Sequence, residues 1–427
     1  MRISRARRFV SLLFALTACT QQSTSPGLTL RIGAVGPIDL LVPQQQGGYS
    51  TLVKGLVFPL LLEPTTEGEW HPRLVSQSAR LAPNRYRLKL DPSVQFSDGS
   101  PARNEDLIAS VAAFGLRGIE RDGWVEVEPM NVEAPIDVLL ASAVLFKQSP
   151  QGFLGTGSFF VVAQDTSRLQ LRRIKPLQAR ITDVEMLSFA TPRDAFARAM
   201  LGEVNVLMMP DSGQIELLQG IPRFRLIRGQ GVQGLAAVFN TQRLSRDERK
   251  ALAAAILADP ITTVHGTNCE LNVPPSAQGR LPPGAPLELH IVDSDAEIAR
   301  AGIALRRALG ARGGPIFFEP PSSIIRRAAE GLFEIIVGQV AVWPPRRAAW
   351  AWHTQSSWNR FGYSNPALDE ALYAGDYARA ERELRDDPPA LLLCRPERTM
   401  AIDARVKNPR LGVYDMLESL PDWEVNP

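Results

Sequence analysis

Four of the seven tryptophans, Trp343, Trp350, Trp352 and Trp358, crowd one stretch of the chain, and Arg346 and Arg347 lie among them. Indole rings wall apolar pockets, and guanidinium groups offer planar donor forks to carboxylates or phosphates. The chemistry this set predicts is capture of a small solute, an anionic one included, with no bond made or broken. The competing reading is a solvated arginine pair beside ordinary packing tryptophans. Catalysis has less to stand on. His71, His265, His290 and His353 are scattered, with no zinc-type pair and no cysteine at ligand spacing. No Gly-x-Ser-x-Gly elbow occurs. Gly229-Gln230-Gly231-Val232-Gln233-Gly234 has dinucleotide-fingerprint spacing, but it leads from a strand at 224–227 into an apolar run, 235–239, that reads as another strand. A phosphate site needs a helix N-terminus at that point. Gly234 is read instead as part of a crossing where backbone approaches a ligand closely. The expectation is a binding protein, not an enzyme, with no cofactor and no metal.

The elements that must hold these residues alternate between strands and helices. Residues 28–32 and 85–90 show period-two alternation, the second run leading into Val94-Gln95-Phe96. Phe96-Ser97-Asp98-Gly99-Ser100-Pro101 makes a tight turn, and Asn104 is placed to cap a helix whose first turn carries Glu105 and Asp106. Further on, strands at 287–292, 315–319 and 333–337 alternate with helices at 295–309 and 322–330. That βαβαβ pattern predicts an α/β lobe with a parallel sheet in the second half. Pro274-Pro275 and Pro282-Pro283 introduce it, and Pro344-Pro345 follows it.

Length and charge narrow the class. The 427 residues suffice for two or three domains, and 47 Lys+Arg against 45 Asp+Glu leave no bulk basic field, so nucleic acid is not an expected partner. The N-terminus joins Arg2, Arg5, Arg7 and Arg8 to an apolar run at 9–18, too short to span a bilayer, and then Cys19. Leu16-Thr17-Ala18-Cys19 resembles the lipobox of bacterial lipoproteins, which implies a signal peptide at 1–18, lipidation of Cys19 and a polar tether at 19–27. The expected location is the periplasm or cell surface, on a lipid anchor. Cys269 and Cys394 remain, either as a disulfide or as two buried thiols.

Several segments, in order, resemble the extracytoplasmic solute-binding proteins of the peptide/nickel ABC-importer family (family 5). They are the turn 96–101 with Glu105-Asp106 and Ser110; Gly155-Thr156-Gly157-Ser158-Phe159-Phe160; Gly202-Glu203-Val204-Asn205-Val206; Phe239-Asn240-Thr241 with Arg249-Lys250-Ala251-Leu252; and Gly362-Tyr363-Ser364-Asn365-Pro366 with Leu368-Asp369. Ser158 stands where proline is usual, and Asn205 where an acid is usual. The resemblance spans about 28 to 410. It implies a two-lobed α/β periplasmic-binding-protein clamshell, type II-like, with an extra subdomain in lobe I. Lobe I would comprise 28–238 plus 395–427, with the subdomain near 48–150, and lobe II would comprise 239–394. Hinges are expected at Val238-Phe239 and Leu393-Cys394. It further implies a monomer that binds a small peptide or other small solute and hands it to an ABC permease in the inner membrane. A lipoprotein of the same fold acting as sensor or scaffold is the alternative. Tyr49 and Asn240 are cleft candidates from their family positions, and Trp343 from its place after the last lobe II strand. The aspartate that holds a peptide amino terminus in the family is replaced by Val342, which argues against free-peptide binding.

Overall fold

The computed structural model describes residues 28–44, 49–65, 70–131, 136–150, 152–175, 180–210, 212–231, 233–258, 284–293, 296–341, 345–356, 359–394, 397–412 and 416–425. Two mixed sheets organise them. The first has seven strands in the spatial order 159–164, 168–173, 181–189, 28–35, 206–208, 397–403, 224–230. Its central strands, Leu28–Val35, Ile181–Phe189 and Val206–Met208, run parallel, and the strands flanking them are antiparallel. Both faces are covered. Leu30, Ile32, Met400 and Ile402 enter the main core on one side, while Leu207, Phe224 and Ala401 pack with Ala195 and Ala199 of helix Pro192–Leu201 on the other. This two-sided burial is why the central strands are so apolar. Asn205, at the family's acidic position, accepts from the Arg31 backbone N–H at 3.0 Å and ties the loop before the third strand to the first.

The second sheet has the order 313–319, 287–292, 335–341, 233–239, 390–394. Leu287–Val292 pairs in parallel with both Gly313–Glu319 and Ile335–Ala341, and helices Ala296–Ala308 and Pro321–Ala329 connect them. The βαβαβ unit read from periodicity is therefore present. Gln233–Phe239 adds to it antiparallel, with Phe239 opposite Ile335 and Gln233 opposite Ala341. That pairing moves one expected hinge. The chain leaves the first sheet between Gln230 and Gln233, not at Val238-Phe239, because Gly234 and Leu235 are already paired with Val340 and Gln339. It returns between Cys394 and Glu397.

A four-stranded antiparallel sheet, ordered 75–82, 85–90, 124–129, 116–121, packs with helix Asn104–Ala112 to form the subdomain. Two local expectations change here. Val94-Gln95-Phe96 is not a strand; its only pairing among the described residues is a bridge from Gln95 to Pro101, because the turn folds back on itself with Phe96 N–H donating to Ser100 O at 2.9 Å. Asn104 is the first helical residue and not the cap. Asp106 carboxylate accepts the Arg103 N–H at 2.9 Å, while the Asn104 amide donates to Glu120 at 2.9 Å.

Candidate functional site

Because Leu28–Val35, Ile181–Phe189 and Val206–Met208 are parallel, their carboxyl ends share one edge of the first sheet. The antiparallel strand 397–403 brings its amino end there, with Met400 opposite Met208, and 224–230 brings its carboxyl end, with Gln230 opposite Glu397. Both crossings to the second sheet depart from this edge. Ligands of open α/β sheets bind outside the carboxyl ends of strands, where connections diverge.

Four features gather on the edge. Gly36 follows the first strand at φ +99°, and the Tyr49 ring comes within 4.0 Å of where a Gly36 Cβ would stand. Burial pushes the Tyr49 hydroxyl up, against a backbone hydrogen bond at Val35 that pulls it down. Met209 follows Met208 in the left-handed region, φ +48°, pinned by its N–H donating to Thr399 O at 2.9 Å, and its side chain is half exposed at 50%. A left-handed non-glycine residue costs about 1–3 kcal/mol and concentrates at ligand-binding sites. Arg398 lies opposite Gly229, and its Nε stands 2.5 Å from where a Gly231 Cβ would be. Burial lowers its guanidinium pKa, and no acid counteracts the shift. On the helix after Tyr49, burial draws the Lys54 ammonium down to about 8.

Among the residues singled out from sequence, Tyr49 and Gly234 stand at this edge and its crossing. Asn240 does not. It is 2% exposed at the far end of strand Gln233–Phe239, about 23 Å along the chain from the crossing at 3.3–3.4 Å per residue. Its amide donates to Gly331 O at 3.0 Å and Phe333 O at 2.7 Å and accepts from Gln242 N–H at 3.0 Å, so it staples a turn. Trp350 and Trp352 are packing residues, buried with Tyr363, Leu368 and Leu372. Cys19, Trp343 and Trp358 lie outside the described residues, as do the side chains of Arg346 and Arg347. Cys394 is disulfide-bonded, and Cys269 lies outside the described residues. His265 does too; His71 is exposed, and His353 is buried against Trp350 with its Nδ1 accepting Gln355 N–H at 3.0 Å. Among the described residues no cluster of His, Cys, Asp or Glu is arranged to hold a metal. Arg398 and Met209 were missed. Strand parity could not single out Arg398, because both faces of Glu397–Asp403 are buried: Met400 and Ile402 on one, Ala401 on the other.

The subdomain also reaches the second lobe. Asn84 Nδ2 donates to Tyr373 OH at 2.8 Å, and Val138 of helix Ile136–Leu140 is buried among Trp350, Tyr363 and Leu372.

No family model and no curated protein sequence matches the chain. Solved structures do. The oligopeptide-binding protein AppA from Bacillus subtilis, in complex with a nonapeptide, superposes with a TM-score of 0.70 at 13% identity, covering 94% of this chain and 99% of AppA. NikA from Staphylococcus aureus, in complex with Ni(L-His)2, gives 0.70 at 10% identity, covering 94% and 100%. AgaA from A. tumefaciens R10, in complex with agropinic acid, gives 0.70 at 14% identity, covering 93% and 99%. The fold is the two-lobed clamshell that these structures share. The coverage is near complete at both ends of the comparison, so both sheets and the subdomain belong to that architecture.

Proposed function

We propose that this protein is the extracytoplasmic solute-binding component of an ABC importer of the peptide/nickel family. One observation carries the reading: two mixed sheets are joined by two crossings that leave a single sheet edge, and Tyr49, Met209 and Arg398 stand on that edge. Such a connection lets one lobe rotate on the other over a bound solute, with the free energy of binding favouring the closed arrangement. The ligands of the structural neighbours, a nonapeptide, a nickel–histidine complex and agropinic acid, are small solutes of different chemistry, so the shared fold leaves the cargo open. Lobe I comprises about 28–231 with 397–425, including the subdomain near 48–150, and lobe II about 233–394. The protein is a monomer held by a lipid on Cys19 after removal of 1–18, and a membrane permease reads the closed state. Trp343, Arg346, Arg347 and Trp358 are ligand contacts in this reading, assigned from sequence.

Native mass spectrometry of residues 20–427 purified from the natural compartment tests the function. A stoichiometric small molecule, with saturable thermal stabilisation on adding it back, is the expected result. A protein that carries nothing and is stabilised by no solute would end the transport reading. Mass analysis of the full-length protein beside Cys19→Ala checks the anchor, which predicts acyl chains only on the wild type.

A further inference from the structure

Arg398 is a cation without a counter-charge among the described residues. Among the described residues its guanidinium has no hydrogen bond, ion pair or ring contact, and no acid offsets its burial. By strand parity it shares a face with Met400 and Ile402, both fully buried in the main core, and stands where that face reaches the sheet edge. Gly231, at the crossing, leaves room for the side chain to lie across it: any Cβ there would stand 2.5 Å from Arg398 Nε and 3.1 Å from Cζ. Gly229, the direct cross-strand neighbour, likewise presents no side chain, and Leu411 closes the space beside it. The position is therefore shaped around an arginine, yet no described residue supplies an acceptor for its five N–H donors. Leaving a partly buried charge unsatisfied costs stability, and arginine is retained at such sites where a carboxylate or phosphate completes the fork.

We propose that Arg398 is the anchor for an oxyanion, carboxylate or phosphate, on the bound solute, and that the cargo is consequently an anionic small molecule. Tyr49 and the half-exposed Met209 on the same edge supply an aromatic and a thioether surface for its apolar part. This assignment rests on the solute-receptor reading and deepens it.

The test compares wild type, Arg398→Gln and Arg398→Lys, each purified from the natural compartment and examined by native mass spectrometry and circular dichroism. Thermal shifts are then read with matched pairs: glutarate against glutaramide, Ala-Ala against its C-terminal amide, and glycerol phosphate against glycerol. Wild type should carry an acidic solute and prefer the acid of a pair, and the phosphate pair separates the two oxyanions. Arg398→Gln should lose the solute, with affinity down about 10–100-fold, the range of a charge-assisted hydrogen bond, while its ligand-free melting temperature stays level or rises. If Arg398→Gln fails to fold, Arg398→Lys carries the test, because it keeps charge but not the fork and should weaken acid binding. Equal solute content in wild type and a folded variant would overturn the role of Arg398 and leave the receptor reading standing. A co-purified solute with no anionic group would overturn the cargo class. A wild type that is empty and indifferent to every pair would remove the receptor reading and this inference with it.

Discussion

Glu319 ends an edge strand of the second sheet, where His290 Nδ1 approaches its Oε1 at 2.6 Å, Arg327 Nε donates at 3.0 Å, and Ser323 Oγ donates to its other oxygen. Burial works against the carboxylate, but these hydrogen bonds outweigh it and hold the carboxyl at about 2. A folded-state value below the ordinary 4.5 stabilises the protein above pH 4.5, and that contribution is lost as the pH falls through about 2. Glu319→Gln is therefore expected to lower stability by about 1–3 kcal/mol at pH 7. In paired urea titrations the gap between variant and wild type should shrink from pH 4.5 towards pH 2; a gap independent of pH would contradict this account. None of this was legible in the sequence, where His290 is one of four scattered histidines. A residue's partners across a sheet depend on strand order, and strand order is not written in local periodicity. Arg398 shows a second case. Glu397–Asp403 is buried on both faces, so parity does not mark Arg398, and only the neighbouring Gly229 and Gly231 reveal the space its side chain occupies.

At the scale of elements, the glycine motif at 155–157 has a packing cause. Gly157 N–H donates to Val57 O at 3.0 Å, and Cβ atoms on Gly155 and Gly157 would run into the carbonyl oxygens of Val57 and Leu56. The same segment receives the turn 96–101, since Ser97 N–H donates to Gly155 O at 2.9 Å. Turn, glycines and helix Lys54–Val57 thus form one joint between the subdomain and the first sheet. Gly157→Ala should cost about 1–3 kcal/mol by forcing backbone apart, whereas Gly99→Ala, at φ +84° with open space around it, should cost about 1 kcal/mol from conformation alone. Urea midpoints of the two variants check the order; an equal or reversed cost would refute the joint. Ser110 belongs to the same logic: its hydroxyl donates to Phe146 O at 2.9 Å and accepts Phe146 N–H at 3.0 Å. The turn at 96–101, the helix after it and the βαβαβ unit were legible, because turns announce themselves through Gly, Pro and Asp and the unit through its two periodicities; strands such as 75–82, 116–121, 181–189 and 397–403 were not read. The helix Pro366–Ala374 lies in the segment 362–369 quoted for the family resemblance, and Asn365 caps it, its Oδ1 accepting from Ala367 and Leu368 N–H. The misplaced crossing at 238–239 has a physical reason: apolar residues 234–239 look alike in either sheet, and only pairing with 335–341 decides membership.

For the whole molecule, the contact between subdomain and second lobe predicts how the halves move. Asn84 is bound within its own subdomain by accepting Ile136 N–H at 2.8 Å, and it reaches Tyr373 OH at 2.8 Å on the other side. Tyr373→Phe removes that bridge and keeps the ring. Its loss should weaken the closed arrangement by about 1 kcal/mol, enough to raise the ligand-free radius of gyration measurably in small-angle scattering. An unchanged radius would mean that the bridge does not bear on closure. The seven-stranded sheet holds a different consequence, one of timing. Strand 397–403 lies between 206–208 and 224–230, and Trp423 is fully buried in the same core. Neither can be supplied until every strand of the second sheet has been made. The sheet that strand 28–35 opens therefore stays incomplete, with 224–230 unpaired to 206–208, until 397–403 is made after all the strands of the second sheet. Such long-range pairing folds slowly, and a truncation before residue 397 should leave the first lobe open and protease-sensitive however intact the rest is. A nascent chain built this way holds its first lobe as an unpaired template while the second lobe is free to fold, so the two lobes mature in the reverse of the order in which they begin.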